Sequence, residues 1–215
     1  MAQPMMHLLI ADKIYAEKPC SIYSYGNFLL GSIAPDAVHV KENYTRELKD
    51  ISHYRFNSKS DINYFDTFFD KYYTSENKDF VVGYLVHLLS DMIWYHSVRV
   101  PFKEEYLKAP LQNMPINEAY YADCDQIEQL MFLEKNAPRI IEAIKESSAY
   151  SIEGLIDSEN VIGWKEKLIF DYNNKKDITL HTKYISEQHI RDYIANCARE
   201  CTEYLRYLPF FQSCY

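Results

Sequence analysis

Hydrophobic residues recur at helical spacing along most of the chain. The stretch from Gly83 to His96 is its most apolar part, and no charged side chain occurs between Asp79 and Asp91. A helix that is apolar around most of its circumference is typical of a protein core. The pattern therefore predicts a central buried helix near residues 79–99.

Seven other segments combine apolar residues at helical spacing with helix start or stop signals. They predict helices at about 5–17, 24–33, 61–73, 118–135, 138–147, 158–172 and 186–208. Pro35 disfavours helical geometry at Ala34, so the second helix is expected to break there. The polar residues 41–60 indicate a surface connection, with an aromatic part near His53 that turns back toward the core. With no internal repeat and no clear domain boundary, we expect a single all-α domain of about eight to ten helices over residues 1–215.

The composition agrees with a globular helical protein. Hydrophobic residues make up 47% of the chain and charged residues 25%, and only 5 residues are glycine. Few glycines and long periodic segments argue against a β-sandwich or barrel. The chain of 215 residues is long enough to bury a sizeable core.

Net charge and cysteine content indicate which partners and which cellular compartment to expect. The net charge of −8 disfavours nucleic-acid binding and tight docking on anionic membranes, since both need basic surfaces. The start of the chain has no signal-peptide pattern, and the uncharged run of residues 19–35 is too polar to insert stably in a bilayer. The five cysteines are scattered without a Cys-x-x-Cys pair, as expected for reduced thiols in the cytoplasm.

The central helix contains two polar residues that need a partner. His87 and Asp91 are four residues apart and therefore project from one helix face. A buried carboxylate is costly unless a metal ion, a buried Arg or Lys, or protonated His87 compensates its charge. No Lys or Arg lies between Lys78 and Arg99, so compensation must come from elsewhere in the fold. A metal ion would satisfy both side chains, although such pairs are more often hydrogen-bonded core groups.

Other histidines and aspartates strengthen the metal hypothesis. The full set of candidates is His7, Asp36, His53, His87, Asp91, and Asp123 or Asp125. Imidazole and carboxylate ligands together suit zinc or a similar first-row ion, and helical folds build such sites from several helices that face one cleft. The other histidines are expected to be structural or solvated, with His39 a candidate neighbour of Asp36 and His96 open between ligand and helix-end residue.

At these residues the sequence resembles the zinc-dependent phospholipase C family, which includes phospholipase C/D-type domains. The matching motifs are Met6-His7-Leu8, Gly31-Ser-Ile-Ala-Pro35-Asp36, Ser52-His53-Tyr54 and Gly83-Tyr-Leu-Val-His87-Leu-Leu-Ser-Asp91-Met-Ile-Trp94, with a looser match at Tyr120-Tyr-Ala-Asp-Cys-Asp125-Gln-Ile-Glu128. They cover roughly residues 5–135 and leave the last third unassigned.

The resemblance implies a mostly helical, phospholipase C-like fold and zinc-assisted hydrolysis of a phosphodiester. It makes Asp36, His53, His87 and Asp91 ligands of one metal and His7, with Asp91 as a bridge, part of a second site. Asp125 is carried over as a further metal ligand. Secreted members also use their processed N-terminal amino group, two more histidines and a glutamate, which this chain does not offer at matching places. We therefore expect one or two zinc ions.

The sequence favours an enzyme, a metal-dependent hydrolase acting on a small-molecule or lipid phosphoester. Metal-activated water would attack phosphorus, and Asp36 would serve as a ligand, as the general base, or as both. One alternative is a metal-binding helical protein without catalysis, with a structural or partner-recognition role. Another is a metal-free network of buried hydrogen bonds in an interaction module.

Overall fold

The computed structural model describes residues 2–17, 22–55, 63–74, 76–110 and 114–208. Within these ranges the chain forms ten α-helices, one 3₁₀ segment and one π-helical segment, and no β-strand. The α-helices are α1 Pro4–Ala16, α2 Tyr25–Gly31, α3 Arg46–Ser52, α4 Asn63–Tyr72, α5 Lys78–Trp94, α6 Val100–Lys108, α7 Ile116–Met131, α8 Ala137–Lys145, α9 Ser158–Asn173 and α10 Glu187–Tyr207. The predicted all-α fold of about eight to ten helices is confirmed within the described ranges.

Helix α5 lies at the centre of the molecule, as its apolar sequence predicts. Every residue from Asp79 to Asp91 is buried, and α5 packs against α1, α2, α4 and α10. α1 in turn packs against α10, and Tyr193 of α10 donates a hydrogen bond to the carbonyl oxygen of Ser90 at 3.0 Å. None of the described helices is long and apolar enough to span a membrane.

Helices α2 and α5 approach each other so closely that two glycines are required at the contact. A Cβ atom on Gly31 would overlap the carbonyl oxygen of Phe80, and one on Gly83 would overlap that of Phe28. Each helix therefore rests directly on the backbone of the other. This contact fixes the C-terminal end of α2 against the middle of α5.

The structure differs from the sequence prediction in two connections. Residues 41–60 were expected to form a surface connection, but α3 occupies part of that segment, with the side chain of Thr45 accepting a hydrogen bond from the backbone of Leu48. The central helix was expected to end near Pro101. Its α-helical part instead ends at Trp94 and continues through the π-helical segment Tyr95–Arg99 into α6. Pro101 comes just after the π-helical segment, and prolines and π-bulges are the usual places at which a long helix bends.

Some predicted features lie outside the described residues. These are the start of the helix predicted at 61, Cys20 and Cys214, and the helix stop at Pro209. The three described cysteines, Cys124, Cys197 and Cys201, are free thiols and buried.

Glu128 provides a buried acid that anchors the start of α1. Its Oε1 atom accepts a hydrogen bond from the backbone of Met5 at 2.8 Å, while Oε2 has no partner among the described residues. Burial raises the pKa of Glu128 from 4.5 to about 8. The folded chain therefore keeps a proton on Glu128 between these pH values that the unfolded chain has released.

Because the folded state binds more protons, the stability from Glu128 falls as pH rises from about 4.5 to about 8. Glutamine does not titrate, so we expect Glu128→Gln to lack this loss of stability. From pH 5 to pH 8 the free energy of unfolding of wild type should therefore fall by up to about 4 kcal/mol relative to that of Glu128→Gln. Urea unfolding at both pH values measures the difference. Glu118→Gln, at an exposed position of the same helix, is the control. A parallel pH dependence in wild type and Glu128→Gln would contradict the expectation.

Candidate metal centre

Five of the predicted ligands converge beside the middle of α5. His87 and Asp91 come from α5, His7 from α1, Asp36 from the 3₁₀ segment Ala34–Val40, and His53 from the C-terminal end of α3. Two groups of three have ligand atoms that all lie within 4.8 Å of one another. They are His7, Asp36 and His87, and His53, His87 and Asp91. All five side chains are buried, with residue exposures of 0–4%.

Hydrogen bonds to backbone carbonyls orient two of the histidines. His87 Nδ1 lies 2.8 Å from the carbonyl oxygen of Ser32, at the end of α2, and His53 Nδ1 lies 2.9 Å from that of Lys49. A carbonyl oxygen can only accept, so each ring carries its proton on Nδ1. The Nε2 atom of each neutral ring then presents a lone pair to the cluster. This is the arrangement in which metal-binding histidines are usually held.

The third histidine has the same tautomer. The hydroxyl of Ser90 donates to the carbonyl oxygen of His87 at 2.9 Å, and its oxygen lies 2.8 Å from His7 Nδ1. With its proton committed, Ser90 Oγ accepts from His7, which leaves the lone pair on His7 Nε2. The His7 and His87 rings stack with centroids 4.0 Å apart, so both Nε2 atoms lie on the same side of the cluster.

The cluster contains more acceptors than its described donors satisfy. The Nε2 atoms of His53 and His87 face each other at 3.3 Å, an unfavourable approach of two lone pairs unless a cation lies between them. His7 Nε2, Asp36 Oδ1 and Asp91 Oδ1 are buried without a hydrogen-bond partner among the described residues. Buried polar atoms are rarely left unpaired. This excess argues against a metal-free network of hydrogen bonds.

The spacing of the ligand atoms fits a zinc ion. Two atoms that each lie about 2.0–2.1 Å from one tetrahedral ion are about 3.4 Å apart. His53 Nε2 lies 3.4 Å from Asp36 Oδ1, 3.6 Å from Asp91 Oδ2 and 3.3 Å from His87 Nε2. His7 Nε2 lies farther away, 3.9 Å from Asp91 Oδ1. The donor set and its spacing fit one ion among four residues, with His7 and Asp91 available to a second.

Burial and mutual charge keep the ligands in the forms that bind metal. Burial lowers the pKa of His7, and lowers that of His87 to about 3, so both rings are neutral near pH 7. Burial alone would raise the pKa of Asp36 and Asp91. The neighbouring imidazoles outweigh burial, so the pKa of Asp36 is lowered well below its usual value and that of Asp91 is lowered to about 2. His7 and His87 therefore offer neutral imidazoles, and Asp36 and Asp91 offer ionised carboxylates.

The remaining candidates lie outside the two groups. Asp125 is exposed and accepts a hydrogen bond from Gln3 Nε2 at 2.7 Å, so the structure does not bring it to the cluster. Asp123 accepts hydrogen bonds from three consecutive backbone N–H groups, at residues 183–185. His96 is exposed on the π-helical segment. His39 Nε2 lies 3.8 Å from Asp36 Oδ1, and its side chain is 29% exposed, which makes it a neighbour of the cluster.

Two cations near the cluster were not predicted from the sequence. Arg55 Nη2 donates to Asp91 Oδ2 at 3.1 Å, so the fold provides an arginine partner for this carboxylate from outside α5. Lys49 is buried with 6% exposure, and the charges of Asp36 and Asp91 act on its ammonium. In the sequence, the only sign of their role was closeness to His53. Lys49 comes four residues before His53, and Arg55 comes two residues after it.

A model of the family described as zinc dependent phospholipase C matches residues 6–210, nearly the whole chain. The match includes the C-terminal third, which the short motifs leave unassigned. No curated protein and no solved structure matches the chain. The matched range contains all five clustered residues and the helices that position them. The chain therefore belongs to the zinc dependent phospholipase C family.

Proposed function

We propose that the protein is a zinc-dependent hydrolase of a phosphate ester, with a lipid phosphoester as the substrate class. The observation that carries the proposal is the cluster of inward-facing Nε2 atoms and unpaired carboxylate oxygens. Asp36, His53, His87 and Asp91 would hold one ion, and His7 with Asp91 would hold a second. When bound, zinc supplies Lewis acidity toward water and toward a phosphoryl oxygen.

The residues of the chain have separable roles in this proposal. The carbonyl oxygens of Ser32 and Lys49 keep the His87 and His53 rings in one orientation and one tautomer. Asp36 is ionised at neutral pH because its pKa is lowered by the histidines around it. Its Oδ1 atom has no hydrogen-bond partner among the described residues and lies 3.4 Å from His53 Nε2, so it is available to a metal ion or, as general base, to the proton of an attacking water. Partly exposed His39, near the same atom, lies on a route for that proton to solvent.

The first test combines elemental analysis with an activity panel. Protein purified without added metal is expected to contain one or two zinc ions per chain. It should hydrolyse at least one of a short-chain phospholipid, a nitrophenyl phosphodiester and a nitrophenyl phosphomonoester, with chelation stopping the reaction and zinc restoring it. A fully metallated protein that is inert on the whole panel would favour the alternative of a non-catalytic metal-binding protein.

Zinc removal should also lower the melting temperature. An ion that binds only the folded state stabilises it by about 2.7 kcal/mol at a free concentration 100 times its dissociation constant. Differential scanning fluorimetry of the chelated and reloaded protein measures this change. His181→Ala, at an exposed position whose backbone rather than ring makes the contact to Gln126, should show the same zinc-dependent shift. Equal melting temperatures of the chelated and the zinc-loaded protein would argue against metal binding at the cluster.

A further inference from the structure

Arg55 is delivered to the cluster by an unusual turn at the end of α3. Tyr54 has a left-handed backbone with φ of 55°, a conformation normally taken by glycine at this position. The backbone N–H of Tyr54 donates to Ile51 and that of Arg55 donates to Asp50, the paired bonds of a Schellman motif. Tyr54 is held there by packing against Phe68 and Tyr72. The turn reverses the chain and places Arg55 over Asp91.

The guanidinium of Arg55 connects the buried cluster with solvent. Its Nη2 atom donates to Asp91 Oδ2, while the side chain is 42% exposed. Asp91 Oδ1 has no hydrogen-bond partner among the described residues. Asp91 Oδ2 therefore lies between Arg55 and the cluster, 3.6 Å from His53 Nε2, and Oδ1 faces His7 Nε2 at 3.9 Å. The Nη1 atom of Arg55 lies 3.9 Å from Asp50 Oδ1, beyond hydrogen-bond distance, so the donors that Asp91 does not use remain for a ligand arriving from solvent.

Lys49 adds a second positive charge on the same short segment. Its side chain is buried, and no hydrogen bond or ion pair joins its ammonium to another residue in the described part of the chain. Burial lowers the pKa of Lys49, and the charges of Asp36 and Asp91 offset this effect only in part. An ammonium that has no direct partner among the described residues and is not enclosed by them can reach an anionic ligand from solvent.

We propose that Arg55, with Lys49 beside it, binds the phosphoryl oxygens of the substrate at the solvent edge of the five-residue cluster. This inference rests on the proposed function, because it assigns the anion-binding part of the same site. A planar guanidinium matches two oxygens of a phosphate at once, whereas an ammonium acts as a point charge. The chemistry recognised is a tetrahedral phosphate oxyanion, whether free or within a lipid headgroup.

Direct binding of inorganic phosphate to zinc-loaded protein tests the proposal by calorimetry. Arg55→Gln should weaken phosphate binding at least tenfold and Lys49→Met severalfold, with zinc content unchanged. Arg55→Lys should bind phosphate with intermediate affinity, because lysine keeps the positive charge but lacks the paired N–H donors of the guanidinium. Arg199→Gln is the matched control. Arg199 lies on α10 with a side chain that is 58% exposed and paired with Glu203 at 3.3 Å, and this variant should bind phosphate within twofold of wild type.

A second measurement needs no variant. Phosphate should protect Arg55 of the wild-type protein from phenylglyoxal and leave Arg199 fully reactive, as measured by peptide mass mapping. Repeating the protection with a monomeric short-chain phospholipid distinguishes a lipid headgroup from free phosphate as the preferred source. Protection by either ligand supports the inference. Equal modification of Arg55 with and without both ligands overturns it.

The outcomes separate this inference from the proposed function. If phosphate binding depends on Arg55 but the protein has no esterase activity, the proposed anion site is supported and the proposed hydrolase function is wrong. Hydrolysis with the same KM, kcat and phosphate affinity in wild type and Arg55→Gln would keep the hydrolase and reject the anion site. If Arg55→Gln loses zinc, its phosphate affinity cannot test the anion site. The phosphate affinity of Arg55→Lys and the protection of wild-type Arg55 from phenylglyoxal then provide the test.

Discussion

Asp91→Asn is expected to abolish zinc-dependent ester hydrolysis, lowering kcat/KM by more than about 100-fold, the upper end of what losing a partner outside the ligand shell costs. The asparagine keeps the shape of the side chain but removes the negative charge that the two proposed zinc positions share. It also leaves Arg55 without its 3.1 Å partner. Zinc content by elemental analysis should fall together with activity.

Two further variants serve as comparisons for Asp91→Asn. His53→Ala should behave like Asp91→Asn, because His53 Nε2 lies within 3.6 Å of Asp36, His87 and Asp91. His181→Ala should retain wild-type activity, since that exposed residue contacts none of the cluster. A structural metal would instead give loss of zinc and stability with no activity to lose. Equal activity in wild type and Asp91→Asn would reveal a contaminating phosphatase.

Gly83→Ala is expected to destabilise the protein by about 3 kcal/mol, at the upper end of the usual cost of overpacking a core. The added Cβ would collide with the carbonyl oxygen of Phe28 and lie 2.9 Å from the backbone nitrogen of Ser32. Because backbone atoms cannot rotate away, α2 and α5 must separate. The Ser32 carbonyl would then shift from His87, so zinc affinity should fall as well.

The matched control for this substitution is Gly163→Ala in α9. A Cβ atom there would meet only the side chain of Val40, at 3.4 Å or more. Alanine is favoured over glycine inside a helix by roughly 0.5–1 kcal/mol, so this variant should be as stable as wild type or slightly more stable. Urea unfolding compares the two. Similar stability of Gly83→Ala and wild type would contradict the close packing of α2 against α5.

The parts of the site that could be predicted from the sequence are those that depend on local spacing. His87 and Asp91 share a face because they are one helical turn apart. Asp36 was expected at a turn because Pro35 breaks the preceding helix, and the structure places it in the 3₁₀ segment. The convergence of these residues with His7 and His53 followed from the family resemblance rather than from spacing.

The rest depends on contacts between distant segments. The His87 tautomer is set by the carbonyl oxygen of Ser32, 55 positions earlier, which no local pattern reveals. Arg55 reaches Asp91 through a left-handed residue that is a tyrosine, where a glycine would have signalled the turn. α3 was missed because its exposed surface is mostly polar, and the capping role of Thr45 was its main local signal. Asp125 resembled a ligand by motif alone.

The packing of α1 against α10 has a consequence for how the protein is made. α1 has nine buried residues, His7 among them, and part of the surface that covers it belongs to the last described helix. Domains complete their folding only when the segments that form the core have left the ribosome. A nascent chain that has not yet released α10 therefore exposes an apolar helix and lacks the Tyr193 contact to Ser90. We expect zinc to be acquired after translation, by the full-length chain.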